Sequence, residues 1–240
     1  MQQLAEKLTE WIKEQVISAG RSGSVFGLSG GLDSAVVAVL CKRAFPLSTL
    51  AAILPCHSID IDIEHAHAVA RKFDIPTVNI PLDETFETLL RAMPRDLPDT
   101  GTVHAAQANI KPRLRMTALY YLATRLNYLV VGTSNKSELS VGYFTKYGDG
   151  GADIMPIGNL VKSQVQELAL YLDIPRDIVE KPPSAGLWQG QTDEGEMGVT
   201  YAELDRYIAR SKVDDDARCK IDAMVASSEH KRARPPVPSF

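Results

Sequence analysis

The stretch that decides the fold is SGGLDS, from Ser29 to Ser34, which stands between two apolar segments. Residues 24–29 are a short apolar run typical of a buried strand, and residues 35–45 are apolar almost all round, as in a buried helix. Glycine has no Cβ and tolerates positive φ, so two glycines let the backbone approach a ligand closely. A glycine-rich turn from a strand into a helix therefore predicts an anion-binding loop.

Asp33 is unusual in such a loop, because its carboxylate would repel a phosphate. A Mg²⁺ ion between carboxylate and phosphates removes the repulsion, and oxygen ligands suit this ion. The alternative is a tight turn in which Asp33 is an ordinary helix N-cap. The chain has no Walker A sequence and no GxGxxG after a strand, so neither a P-loop NTPase nor a Rossmann dehydrogenase is indicated.

Further apolar runs continue the pattern along the chain. Residues 49–54, 76–81 and 128–133 are apolar without alternation, which favours strands buried on both faces. Helices are predicted around them at 3–18, 62–73, 83–93 and 103–126, the last broken or kinked at Pro112, and from Val161 to Leu172. This order predicts βαβ units around a parallel sheet, and therefore an α/β protein.

The C-terminal quarter of the chain differs in character. Residues 181–198 combine proline, glycine, glutamine and acids without periodicity, which predicts a mobile loop. Residues 199–210 and 214–232 have the pattern of two polar helices, a helical C-terminal appendage. No internal repeat occurs, so we expect one domain over residues 1–240.

Composition excludes several classes of protein. The 240 residues are 45% hydrophobic and 23% charged, which is typical of globular chains, and the net charge of −4 argues against a nucleic-acid or membrane-surface binder. Cys41, Cys56 and Cys219 are far apart and form no CxxC pair, so disulfides and zinc sites are not expected. The N-terminus is a charged amphipathic helix rather than a signal peptide, and no run suits a membrane span. A cytoplasmic protein is predicted.

Charged residues cluster in motifs along the middle and end of the chain. Lys111 and Arg115 are one helical turn apart, with Arg113 between them on another face. The fourth apolar run ends in VGTSNKSE, at the edge of the sheet where ligands of α/β proteins collect. FTKYGDGGAD at 144–153, KPPSAGL at 181–187 and EHKR at 229–232 follow.

SGGLDS resembles the loop of the N-type ATP pyrophosphatases, and the whole set of motifs looks like the NAD synthetase family over about residues 27–235. The resemblance implies an adenine-nucleotide α-hydrolase-like fold with a doubly wound parallel sheet. It also implies a homodimer, with the deamido-NAD site near the dimer interface. It implies ATP, deamido-NAD and ammonia as substrates and Mg²⁺ as cofactor, with no nucleic-acid or membrane partner. One departure is the segment 54–58, LPCHS, where some members have a basic residue that contacts ATP.

The resemblance also assigns site residues. It implies ATP contacts at Gly27, Leu28, Ser29, Gly30, Gly31, Leu32, Asp33, Ser34, Thr133, Lys162 and Ser184. It implies deamido-NAD contacts at Arg113, Lys146, Asp153, His230 and Lys231. Asp33 and Glu138 would be Mg²⁺ ligands, and Lys162 would offset the charge of the leaving pyrophosphate. Asp149 or Asp153 would take a proton from ammonium.

The implied reaction has two steps: adenylation of the nicotinate carboxylate, then attack by ammonia with release of AMP. Because the synthetase motifs fill the chain, no glutaminase domain is expected and ammonia is the expected direct nitrogen donor. One alternative is another N-type ATP pyrophosphatase, such as a tRNA-modifying enzyme, which would favour a basic surface or a catalytic cysteine pair. The other is a non-catalytic adenine-nucleotide sensor, which has no need of Asp33, Glu138 and Lys162 together.

Overall fold

A four-stranded parallel sheet forms the centre of the computed structural model, which describes residues 1–239 apart from 95, 97, 99 and 189. The strands are β1 (Gly23–Gly27), β2 (Thr49–Ile53), β3 (Thr77–Asn79) and β4 (Tyr128–Val130), in the order β3-β2-β1-β4. In the register of the sheet, Val25 of β1 lies opposite Leu50 on one side and Val130 on the other. The strands β2 and β3 therefore follow one another on one side of β1, and β4 pairs with the other side of β1.

Helices connect and cover the strands. They are α1 (Gln2–Ser18), α2 (Leu32–Ala44), α3 (Asp60–Lys72), α4 (Asp83–Ala92), α5 (Val103–Ala108), α6 (Ile110–Leu126), α7 (Lys136–Val141), α8 (Lys162–Tyr171), α9 (Arg176–Val179), α10 (Asp193–Met197), α11 (Tyr201–Ile208), α12 (Asp215–Ser227) and α13 (Glu229–Arg232). Side chains alternate along β1: Phe26 packs with α1, α2, α3 and α8, and Val25 faces α6. The predicted doubly wound α/β fold is confirmed.

Several predicted boundaries shift. Helix α2 begins at Leu32 and not at residue 35, because LDS of the glycine-rich loop already forms its first turn. Strands β3 and β4 are shorter than predicted, although Val131 continues β4 through an isolated parallel bridge to Ile154. The helical stretch at 103–126 does break, but at Asn109, so that Pro112 occupies the first turn of α6, where proline is tolerated.

The predicted loop at 181–198 contains a helix, α10, that sequence periodicity missed. The side chain of Thr192 accepts a hydrogen bond from Gly195 N and starts this short helix. Asp193 and Met197 of α10 are both buried, so packing holds the helix in a segment too short and polar to show a pattern.

The C-terminal helices have a small apolar cluster of their own. Leu204 of α11 and Ile221 of α12 are fully buried in it, together with Val141 of α7. The predicted helical appendage is therefore confirmed, and it packs on the segment that follows β4. None of the helices in the described part of the chain combines the length and apolar character that a membrane span requires.

Candidate active site

A cavity of about 430 Å³ opens at the carboxyl ends of β1 and β4. The chain continues from β1 into α2 and from β4 into α7, and the order of the strands reverses between these two neighbours. Ligands of open α/β sheets bind at such a switch point. Of the residues predicted to contact ATP, all but Gly30 line this cavity. They are Gly27, Leu28, Ser29, Gly31, Leu32, Asp33, Ser34, Thr133, Lys162 and Ser184.

The glycine-rich loop is shaped by its own hydroxyl groups. Ser34 Oγ accepts from Ser29 N at 3.2 Å and donates to the Gly31 carbonyl at 2.9 Å. Gly30 has a φ of +78°, and a Cβ there would lie 2.0 Å from the carbonyl oxygen of Asp62 in α3. Gly30 therefore serves the close packing of the loop against α3, while its neighbours face the cavity.

Two carboxylates and one ammonium meet beside this loop. Lys162 Nζ is hydrogen-bonded to Asp33 Oδ2 and lies 3.8 Å from Glu138 Oε1. The side-chain amide of Asn135 donates to Asp33 Oδ1 at 3.1 Å and to Glu138 Oε1 at 2.8 Å. Asn135 also caps α7 by accepting from Glu138 N, so the helix start fixes the direction of the Glu138 carboxylate.

The carboxyl groups of this site outnumber its cations. Burial raises the pKa of Glu138 to about 8, and Asp33 adds to this effect while Lys162 opposes it. Burial alone would lower the pKa of Lys162, which is 3% exposed, but its attraction to Asp33 and Glu138 outweighs burial and raises the pKa. Two largely buried carboxyl groups thus share one cation, and a second cation would favour the charged form of Glu138.

The carboxylate pair fits Mg²⁺. This ion binds through one or two carboxylates and takes its remaining ligands from water and substrate phosphates. Asp33 and Glu138 provide hard oxygen donors on the wall of the cavity, next to the loop predicted to hold phosphates. No further His, Cys, Asp or Glu in the described part of the chain joins them closely enough to form a cage of three ligands.

Asp193 and Glu196, from the segment predicted as a loop, lie next to this group together with Tyr143 and Tyr201. Tyr201 Oη donates to Asp193 Oδ2 at 2.9 Å and lies 3.4 Å from Glu138 Oε1. Tyr143 Oη lies 3.2 Å from Asp193 Oδ1 and 2.8 Å from Glu196 Oε2. Burial raises the pKa of Asp193, and the two phenol hydrogen bonds oppose this effect. Sequence reasoning missed these residues because none of them stands in a recognisable spacing.

Arg115 occupies the edge where the sequence lacked an expected basic residue. It reaches from α6, and its Nε donates to the Leu54 carbonyl at 3.1 Å at the end of β2. Its Nη2 lies 3.4 Å from Ser58 Oγ. Arg115 lines the cavity, and burial lowers the pKa of its guanidinium. The spacing of Lys111 and Arg115 was the available signal: Lys111, also largely buried, donates to the Leu187 carbonyl at 2.6 Å.

The residues predicted to bind deamido-NAD separate into two groups. Lys231 lines the cavity, and its Nζ donates to the carbonyls of Gly142 (2.8 Å) and Phe144 (3.0 Å). Arg113, Lys146, Asp153 and His230 lie outside the cavity lining. Three of these form a chain of contacts, because Lys146 Nζ donates to the His230 carbonyl and Arg113 Nε donates to the Lys146 carbonyl at 3.3 Å.

Geometry distinguishes the two carboxylates predicted as proton acceptors. Asp149 lines the cavity, and burial raises its pKa although Thr145 N donates to it at 2.9 Å. Asp153 instead accepts from Val130 N at 2.8 Å and from Tyr120 Oη at 3.0 Å, outside the cavity lining. An acid with a raised pKa at the cavity suits proton transfer near neutral pH. This arrangement favours Asp149.

Comparison with known proteins identifies the family of the chain. The profile of the NAD synthase family matches residues 4–235. The chain belongs to the NAD synthase family. The NH(3)-dependent NAD(+) synthetase of Carboxydothermus hydrogenoformans is 48% identical over 97% of this chain and 96% of its own length. The family resemblance of the motifs is thereby confirmed.

Solved structures of the family share the fold. The structure of NMN synthetase from Francisella tularensis superposes with a TM-score of 0.95 and 40% identity, over 100% of this chain and 98% of that one. The NH3-dependent NAD synthetase from Campylobacter jejuni, in complex with the nitrate ion, superposes with a TM-score of 0.81 and 29% identity, over 99% and 98%. The fold expected for the NAD synthase family is therefore confirmed over the length of the chain.

Proposed function

We propose that this protein amidates deamido-NAD with ammonia at the expense of ATP, and releases NAD, AMP and pyrophosphate. The observation that carries the proposal is the convergence of Asp33, Glu138 and Lys162 beside the glycine-rich loop. A nucleotide sensor gains nothing from two carboxylates and a lysine at the phosphates, whereas cleavage of ATP does. The curated relatives support the same activity, because they are NH(3)-dependent NAD(+) synthetases.

The first step is adenylation. A carboxylate oxygen of the nicotinate ring attacks the α-phosphorus of ATP, the bond to the bridging oxygen breaks, and pyrophosphate leaves. The backbone N–H groups at the start of α2 and the ammonium of Lys162 offset the charge on the phosphates. Asp33 and Glu138 would hold Mg²⁺, which supplies Lewis-acid stabilisation of the phosphate oxygens when bound.

The second step is amidation. Ammonium gives up a proton and the nitrogen attacks the activated carbonyl carbon. A second proton then leaves the nitrogen, and the bond to AMP breaks. Asp149 accepts the first proton, since its carboxylate lies at the cavity and has a raised pKa. Tyr143 and Asp193 line one side of the cavity and limit the access of water, which would otherwise hydrolyse the adenylate.

The proposal includes a homodimer and a cytoplasmic location. Arg113, Lys146, Asp153 and His230 are the proposed contacts to the part of deamido-NAD that extends beyond the cavity. They lie on the protein surface, so a second subunit packed there would enclose the substrate between two chains. A cytoplasmic location agrees with the use of ATP.

A mononucleotide is the second candidate for the acceptor. The Francisella tularensis NMN synthetase superposes more closely than the Campylobacter jejuni NAD synthetase, with TM-scores of 0.95 and 0.81. Both acceptors present the same nicotinate carboxylate to the cavity. They differ in the adenylate half, which only the surface residues around Arg113 would contact.

One assay tests both candidates. The purified protein is supplied with ATP, MgCl₂ and ammonium chloride, and with either deamido-NAD or nicotinate mononucleotide at matched concentrations. Formation of NAD, with AMP and pyrophosphate in equal amounts, is the expected result. A higher kcat/KM with the mononucleotide would replace the first candidate with the second. ATP binding without either amide product would contradict the proposed enzyme and favour a nucleotide sensor.

A further inference from the structure

Asp205 of α11 lies behind the acid–lysine group and connects the two helices that carry it. Its Oδ1 accepts from Ser137 Oγ at 2.6 Å, and its Oδ2 accepts from Ser163 N at 3.0 Å. Ser137 Oγ in turn accepts from Lys162 N at 3.1 Å. One carboxylate of the C-terminal appendage is therefore bonded to the first turn of α7 and to the first turn of α8.

Both of these first turns carry a residue of the proposed site. Glu138 follows Ser137 in α7, and Lys162 is the first residue of α8. The N–H groups of Lys162 and Ser163 have no acceptor within their own helix, so Ser137 and Asp205 supply the missing ones. The position of the Lys162 backbone thus depends on two side chains that do not line the cavity.

Charge adds to the geometry. Lys162 is a cation at the N-terminus of a helix, which carries a partial positive charge, so its placement there is unfavourable by itself. The Asp205 carboxylate stands at the same N-terminus on the side away from the cavity and offsets this repulsion. Ser137 is fully buried, so an unpaired hydroxyl or N–H group there would have no solvent to bond.

We propose that Asp205 is a positioning residue that holds Lys162 and Glu138 at the phosphates through Ser137 and the first turn of α8. The proposal rests on the proposed function for its kinetic effect, but its structural part stands without it. It gives the C-terminal appendage a role in adenylation, since α11 carries Asp205 one turn after Tyr201, which also approaches Glu138.

The test compares Asp205→Asn with Asp222→Asn. The asparagine keeps the shape of Asp205, loses its charge and presents an N–H₂ group to one of its two donors. Asp222 is the matched control, because its exposed carboxylate accepts from Tyr207 Oη within the same appendage and has no bond to α7 or α8. We expect Asp205→Asn to lower kcat for pyrophosphate release by roughly 10- to 100-fold, as a small misplacement of reacting groups does, with KM for the acceptor within about twofold.

A second measurement distinguishes a loss of positioning from a folding defect and from a failure of the proposed function. Hydrogen–deuterium exchange of the amides of Lys162 and Ser163 should become faster in Asp205→Asn and stay unchanged in Asp222→Asn, whatever the reaction is. Wild-type protein that forms no amide would reject the proposed function alone. Unchanged exchange, or a kcat of Asp205→Asn within twofold of an active wild type, would overturn the positioning role.

Ser137→Ala keeps the inference testable if Asp205→Asn does not fold. This variant removes the bridging hydroxyl and leaves α11 intact, so we expect a severalfold lower kcat with little change in KM. Where both single variants fold, the double variant should lose little more than Asp205→Asn, because both act on one chain of bonds. A full additive loss, or wild-type kcat in Ser137→Ala, would overturn the route through Ser137.

Discussion

Lys162 is the cation that Asp33 and Glu138 share. Its substitution tests the proposed role of a single residue. Lys162→Met keeps the length of the side chain and removes the charge, so we expect pyrophosphate release to fall roughly 100- to 1,000-fold. Lys42→Met is the control, because Lys42 pairs at 3.8 Å with the exposed Asp74 and does not line the cavity. Near-normal pyrophosphate release in Lys162→Met would reject the assigned role.

The three cysteines provide a second test at this scale. Cys41 and Cys56 are fully buried, and burial raises the pKa of both thiols, that of Cys41 to about 12. Cys219 is exposed. Because the thiolate is the reacting form, a disulfide reagent at pH 8 should modify one thiol quickly in the folded protein and all three in denaturant. Rapid modification of a second thiol in the folded state would contradict the packing described for Cys41 and Cys56.

At the scale of elements, α6 places the guanidinium of Arg115 at the end of β2, where the segment after this strand lacks the expected basic residue. Arg115→Met removes this cation, and we expect KM for ATP to rise roughly tenfold or more, since hydrogen bonds to charged groups contribute about 1.5–3 kcal/mol. Arg125→Met is a control on the same helix, where an exposed guanidinium donates only to Tyr121 Oη in the described residues. A KM for ATP equal to that of the control would show that Arg115 does not contact the nucleotide.

The elements also show where sequence patterns were sufficient. The glycine-rich loop and α2 were predictable because a strand, two glycines and an apolar helix leave few alternatives. Helix α10 was not, since its five residues are stabilised by the Thr192 cap and by burial of Asp193. Short helices depend on tertiary contacts, which a sequence window does not contain.

At the scale of the whole molecule, the proposed substrate contacts predict association. Arg113, Lys146 and His230 lie on the surface next to Lys231, which lines the cavity. Sedimentation velocity should therefore give a mass of about twice 26.3 kDa at protein concentrations at which the enzyme is fully active. A monomer mass under those conditions would mean that one chain binds the acceptor alone.

Sequence by itself determined the parallel α/β sheet, the glycine-rich loop and the family, because these depend on local periodicity and on contiguous motifs. It also named Asp33, Glu138 and Lys162, although they are far apart along the chain. Only the tertiary structure decided that these three share one buried group, that Asp149 and not Asp153 lines the cavity, and that Arg115 reaches the end of β2. The physical reason is that distance, burial and charge balance arise from packing between elements, and no spacing within a motif encodes them.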